Sequence, residues 1–178
     1  MNQTTPVSEQ HTTAEGFQET AVVSVVEGEF QVQLPPPSQN EYLDFLVGDW
    51  VGYYNMAGMH FDVKATTKWV YNHQYVQGLN QSTGPIGTVE SQEMWQATQK
   101  DGVFRLFYFD PFGGAGLGEA IWAEDGFLII GDDESTGPFR NTVTVRGNDE
   151  LIFRLDLGPD AEGQYRTIGH GHYERVKA

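Results

Sequence analysis

The chain has 178 residues, with 25 acidic side chains against 10 Lys plus Arg and a formal net charge of −15. That length supports a single domain with a real core, and the charge repels phosphate backbones and anionic headgroups, which excludes nucleic-acid and membrane-surface roles. There is no cysteine, so disulfides, thiolate catalysis and zinc–thiolate sites are excluded.

No apolar run of about 18 residues offers a membrane span. No Lys or Arg precedes Lys64, so no basic leader is recognisable and the expected compartment is the cytoplasm. Residues 1–20 are Thr, Gln, Glu and Ser with few large apolar side chains, a composition that predicts a disordered tail. Residues 21–40 read as an arm: a β-branched stretch whose later part alternates Phe30, Val32 and Leu34 with Glu29, Gln31 and Gln33, then the stiff linker Pro35-Pro36-Pro37. Tethered in this way, the segment Val22 to Leu34 would cover the mouth of the following domain as a lid, or add a strand to a second copy and make a homodimer.

The domain itself spans 41–178. A short helical turn is expected at Glu41 to Leu46, where Tyr42, Leu43, Phe45 and Leu46 crowd one side. Strand patterns follow at Asp49 to Asn55, Met59 to Tyr71, Gln74 to Gln81, Thr88 to Gln96, Val103 to Asp110, Leu117 to Trp122, Phe127 to Gly131, Phe139 to Arg146, Leu151 to Leu157 and Tyr165 to Val176. The turns between them, such as Lys100-Asp101-Gly102 and Arg146-Gly147-Asn148-Asp149, are tight hairpin chemistry. A meander of that length protects its edges best by closing on itself. The fold class is therefore all-β, a single antiparallel up-and-down barrel of about 8–10 strands with a short N-terminal helical turn and an N-terminal extension. Gly113 to Gly118 lacks the Lys-Ser/Thr of a phosphate loop and no helix pattern follows it, so it reads as a rim loop between strands.

Gly48-Asp49-Trp50 in the first strand, with Tyr173-Glu174-Arg175 in the last, resembles the lipocalin-like calycin superfamily. That resemblance implies structural roles for Trp50, closing the barrel floor, and for Arg175, lying over its face, an arrangement favoured by cation–π attraction. Over Leu43 to Val176, the run Leu43 to Gly52, the turn Phe109 to Gly113 and the hairpin Gly158-Pro159-Asp160 are similar to the bacterial domain-of-unknown-function family 1579. That likeness implies a fold and no activity.

Side chains alternate faces along a strand, so inward Trp50 and Arg175 set the parity of the end strands. Gly52, Tyr54, Tyr165, Thr167, Gly169, Gly171 and Tyr173 would face in, with Gly169 and Gly171 opening space. Phe61, Val63, Ala65, Thr67 and Trp69 follow from the second strand, then Tyr75, Gln77 and Leu79. Glu93, Trp95, Phe104, Leu106, Tyr108, Asp110, Trp122, Phe127, Ile129, Phe153 and Leu155 complete the wall. Such a lining suits a small apolar ligand, with Tyr54, Trp69, Tyr75, Trp95, Leu106, Trp122 and Tyr173 as binding candidates.

Two acids on an apolar wall, Glu93 and Asp110, with Tyr108, are the catalytic candidates. Desolvation would raise a carboxyl's pKa and poise it for general acid–base work, with a tyrosine polarising a carbonyl in a cofactor-independent cyclase or isomerase. The blander alternative places either acid at the rim or paired with Arg105, Arg140 or Arg154, and the opposite parity would exchange Glu93 for Glu90. His170 and His172 project outward and lack a third ligand, so no metal site is expected. No nucleophile elbow is present, and no cofactor is called for. The functional expectation is a binding barrel for a small hydrophobic molecule, with a barrel enzyme as alternative and a haem-binding barrel third.

Overall fold

Ten consecutive antiparallel strands form a closed barrel in the computed structural model, which describes residues 22–26, 29–33, 40–98, 100–110 and 113–177. The strands are β3 (Gly48–Met56), β4 (Met59–Val70), β5 (Tyr75–Gly84), β6 (Gly87–Ala97), β7 (Val103–Phe109), β8 (Ala115–Ala123), β9 (Gly126–Asp133), β10 (Gly137–Arg146), β11 (Glu150–Leu157) and β12 (Arg166–Arg175). Each pairs with the next in sequence, and β12 closes onto β3 with Arg175 opposite Trp50 and Tyr173 opposite Gly52. Closure leaves the barrel no unpaired edge. Residues 1–35 form a separate unit. In it β1 (Val22–Val26) and β2 (Glu29–Gln33) pair antiparallel. The segment expected as one strand is thus a hairpin, and the two apolar runs flanking Glu27-Gly28 carry that signal. The expected tail over residues 1–20 lies outside the described residues.

Among the described residues a single helix, α1 (Glu41–Leu46), precedes β3. Asn40 caps it, its Oδ1 accepting from the amides of Tyr42 and Leu43 at 3.2 and 3.3 Å. The helix stops one barrel end. Leu43 is fully buried, Tyr42 stacks on Trp122 with ring centroids 4.7 Å apart, and the Trp69 indole donates to Asp44 at 2.7 Å. Trp50 donates to the Leu46 carbonyl at 2.9 Å, and the Arg175 guanidinium lies 4.2 Å over the Trp50 ring while donating to the carbonyls of Phe45 and Val47. Gly48 serves the same corner twice: its φ is +140°, and a Cβ there would lie 2.5 Å from Arg175 Nη1.

Beside the helix the interior is solid. Val76, Phe104, Ala120, Phe127 and Ile129 are at most 1% exposed, and each large side chain removed from water there contributes about 1.5–3 kcal/mol. Further along the barrel, large inward side chains lie flat over glycines on the neighbouring strand: Tyr108 over Gly116, Phe139 over Gly131, Phe153 over Gly171 and Tyr173 over Gly52. Gly171 therefore accommodates the Phe153 ring, where the sequence suggested open space. Gly116 and Gly118 likewise belong to β8 and not to a rim loop.

A β-bulge breaks the β11–β12 register between Leu155 and Asp156. The extra residue reverses side-chain parity toward the start of β12. Thr167 consequently faces outward and donates to Asp156 at 2.7 Å, and the Tyr165 ring covers Arg140 at 4.0 Å on the outer face, so neither lines the interior as expected. Asp156 also accepts from Arg140 at 2.7 and 3.1 Å and pairs with Arg154 at 3.3 Å. Burial works to raise its pKa, but Thr167 and the two guanidinium groups hold it below the usual carboxylate range.

Candidate functional site

The interior changes character away from the helix. Tyr54 on β3, Asn80 on β5, Ser91 and Glu93 on β6 and Tyr173 on β12 all point inward, yet each keeps part of its surface accessible. The barrel interior on this side is thus less tightly filled than beside α1. Glu93 lies deep in the protein and faces this lumen. Its register partner on β5 is Gly78, where a Cβ would come within 2.7 Å of the Glu93 side chain, so the absent methyl makes room for the carboxyl.

Glu93 faces Gly78 on one side and Tyr108 of β7 on the other. Among the described residues, the inward positions of the ten strands hold one cation, Arg175, and it is committed to the closed end. Burial therefore pushes the Glu93 carboxyl above the usual carboxylate range, opposed in part by the Trp95 indole. That indole N–H is buried beside Glu93 but closes no hydrogen bond of normal geometry with it. The buried Asn141 Oδ1 on β10 is also unpartnered. The Tyr173 hydroxyl is pushed up by burial, then by Glu93 and Tyr54, so it stays protonated. The rings of Phe61, Tyr54, Phe153 and Tyr173 form a continuous arc, with centroid separations of 4.8, 6.4 and 5.6 Å in that order.

Of the expected catalytic residues, only Glu93 faces the lumen uncommitted. The Tyr108 hydroxyl donates to Asp133, and burial together with that bond pushes its pKa up. Asp133 lies at the barrel rim beneath atoms of its own hairpin. Its other oxygen accepts from the amides of Ser135 and Thr136 at 2.9 and 2.8 Å and from their hydroxyls at 2.6 and 3.0 Å. Burial alone would raise the Asp133 pKa, but these bonds hold it far below the usual range. Asp110 caps the following loop, accepting from the Gly114 amide at 3.0 Å.

The binding candidates divide in the same way. Tyr54 and Tyr173 border the lumen, Leu106 and Trp95 are wall residues 6% and 4% exposed, and Trp69 and Trp122 pack against α1 at the closed end. Tyr75 is a correction. Val76 is fully buried while Leu79 is 44% exposed, so Tyr75, Gln77 and Leu79 lie on the outer face, where Gln96 donates to the Tyr75 hydroxyl at 3.2 Å. The inward set of β5 is Val76, Gly78, Asn80 and Ser82. Mixed polar and apolar residues on both faces of this strand hid its parity, and with it Gly78. Asn141 was missed for a similar reason, since Arg140, Asn141 and Thr142 run consecutively and no apolar alternation marks the inner side of this part of β10. His170 and His172 lie on the outer face, bonded to Asn55 at 3.3 Å and Glu150 at 2.8 Å. No cluster able to hold a metal ion occurs among the described residues, and no helix there is long and apolar enough to cross a membrane.

No protein-family model and no curated protein matches the chain. Solved structures do. Rv2717c from M. tuberculosis is 12% identical, with a TM-score of 0.62 over 76% of this chain and 95% of that one. The S-type phycobiliprotein lyase CPES from Guillardia theta is 11% identical, with a TM-score of 0.59 over 78% of this chain and 92% of its own. At such identities the likeness is one of architecture: the chain folds as a calycin-like antiparallel barrel.

Proposed function

We propose that the barrel binds a small, largely apolar molecule in the lumen, with Glu93 as its polar anchor. The observation that carries this reading is the accessible surface on inward-facing Tyr54, Asn80, Ser91, Glu93 and Tyr173, inside a barrel whose other end is solid. An aromatic wall with few polar groups is the usual composition of a small-molecule site. The phycobiliprotein lyase among the structural neighbours supports this reading only through its shared fold. The likeness to bacterial family 1579 is carried by the sequence motifs from Leu43 onward alone. The test is to fill the lumen: Ser91→Trp should abolish binding of an apolar fluorescent probe while leaving the far-UV spectrum unchanged. Undiminished probe binding by the folded variant would place the ligand elsewhere.

A second reading is favoured by the same acid. A carboxyl whose pKa is raised by burial is suited to general acid work on a cyclisable or isomerisable substrate. Turnover of this kind would drop by about 10²- to 10⁴-fold in Glu93→Gln.

A further inference from the structure

Glu93 has a geometry that selects among ligand classes. Its carboxyl lies over Gly78, Tyr108 faces it from β7, and Tyr173 and Tyr54 are the titratable groups that β12 and β3 turn into the lumen. Beyond Tyr108 stands Asp133, another acid. Arg175, the one inward cation among the described residues, donates to carbonyls at the closed end. An anionic ligand would meet acids with nothing to pair it, on a protein of net charge −15. A neutral ligand gains nothing from a carboxyl that an amide would not supply. A cation is the class for which a carboxylate is the better partner, and the arc of Phe61, Tyr54, Phe153 and Tyr173 adds ring surface that attracts organic ammonium groups. The buried Trp95 indole N–H beside Glu93 favours the carboxylate form.

The geometry points to a lipophilic amine as the ligand class, its ammonium group paired with Glu93 and its apolar body against the aromatic arc. This inference rests on the binding reading above. The protons balance simply: the amine enters as ammonium, Glu93 pairs with it as carboxylate, and whatever proton the free carboxyl carried passes to solvent.

Isothermal titration of the full chain with 2-naphthylmethylamine, 2-naphthylmethanol and 2-naphthoic acid separates the two ideas. The amine should bind at least tenfold tighter than the alcohol, and the acid weakest. Glu93→Gln should lose the amine preference, the amine then binding no tighter than the alcohol. If the alcohol binds and the amine does no better, the amine inference fails and the binding reading stands. If none of the three binds, both fail.

Discussion

Glu93 and Gly78 oppose each other across the β5–β6 pair, and a Cβ on Gly78 would lie 2.7 Å from both Cγ and Oε1 of the glutamate. The atoms in the way belong to a side chain able to swing toward the lumen. Gly78→Ala should therefore cost only about 1 kcal/mol of stability while displacing the carboxyl and weakening ligand binding. Denaturant unfolding beside ligand titration checks this; a large stability loss with unchanged binding would contradict it.

Glu93 has its folded pKa raised above the unfolded value, so between the two values the folded state holds the extra proton. Stability conferred by the neutral carboxyl is complete in acid, and declines as pH rises from the ordinary glutamate range through the folded value. Glu93→Gln removes the titration. Its melting temperature should match wild type near pH 4 and exceed it increasingly toward pH 8, as scanning calorimetry across that range would show.

Asp133 behaves in the opposite sense. Its folded pKa is lowered, so its contribution is present above the ordinary aspartate range and is lost as pH falls toward the folded value. Asp133→Ala leaves Tyr108, Ser135 and Thr136 without their acceptor and should destabilise by about 3 kcal/mol at pH 7. Tyr108→Phe, which leaves the four bonds to the other oxygen intact, should cost about 1 to 2 kcal/mol. Urea midpoints at neutral pH and at pH 3 test the order, and the Asp133→Ala deficit should shrink in acid.

Arg175 joins Trp50, the end of α1 and the Asn148 carbonyl, to which its Nε donates at 2.9 Å. Arg175→Ala should cost about 3 kcal/mol. Arg175→Lys should recover only part of this, because a single ammonium cannot reproduce the planar fork. Trp fluorescence during unfolding reports both.

The ten strands and the helix were legible because hairpin turns punctuate the chain and apolar residues alternate cleanly in strands such as β4, where Phe61, Val63 and Ala65 interleave with His60, Asp62 and Lys64. Parity failed where that alternation is absent. On β5 the outward set holds Tyr75 and Leu79 while the inward set holds Gly78, Asn80 and Ser82, so hydrophobicity pointed the wrong way. On β12 the inference from Arg175 held as far as Gly169 and ended at a bulge that leaves no mark in composition. The site divided similarly. Glu93 was visible beside Trp95, but the bond that engages Tyr108 depends on Asp133, which is 25 positions away in the chain and meets it only through register.

The β12–β3 seam gives the barrel a property independent of its ligand. Every other neighbouring pair of strands is joined by a hairpin, whereas this pair unites the two ends of the domain, and Arg175 already bonds to the carbonyls of Phe45 and Val47. The order in which the strands are written into the gene is therefore separable from the order in which they pair. A circular permutant that joins residue 177 to residue 40 by a short linker and opens at the Gly147-Asn148 turn should fold into the same ring of ten strands.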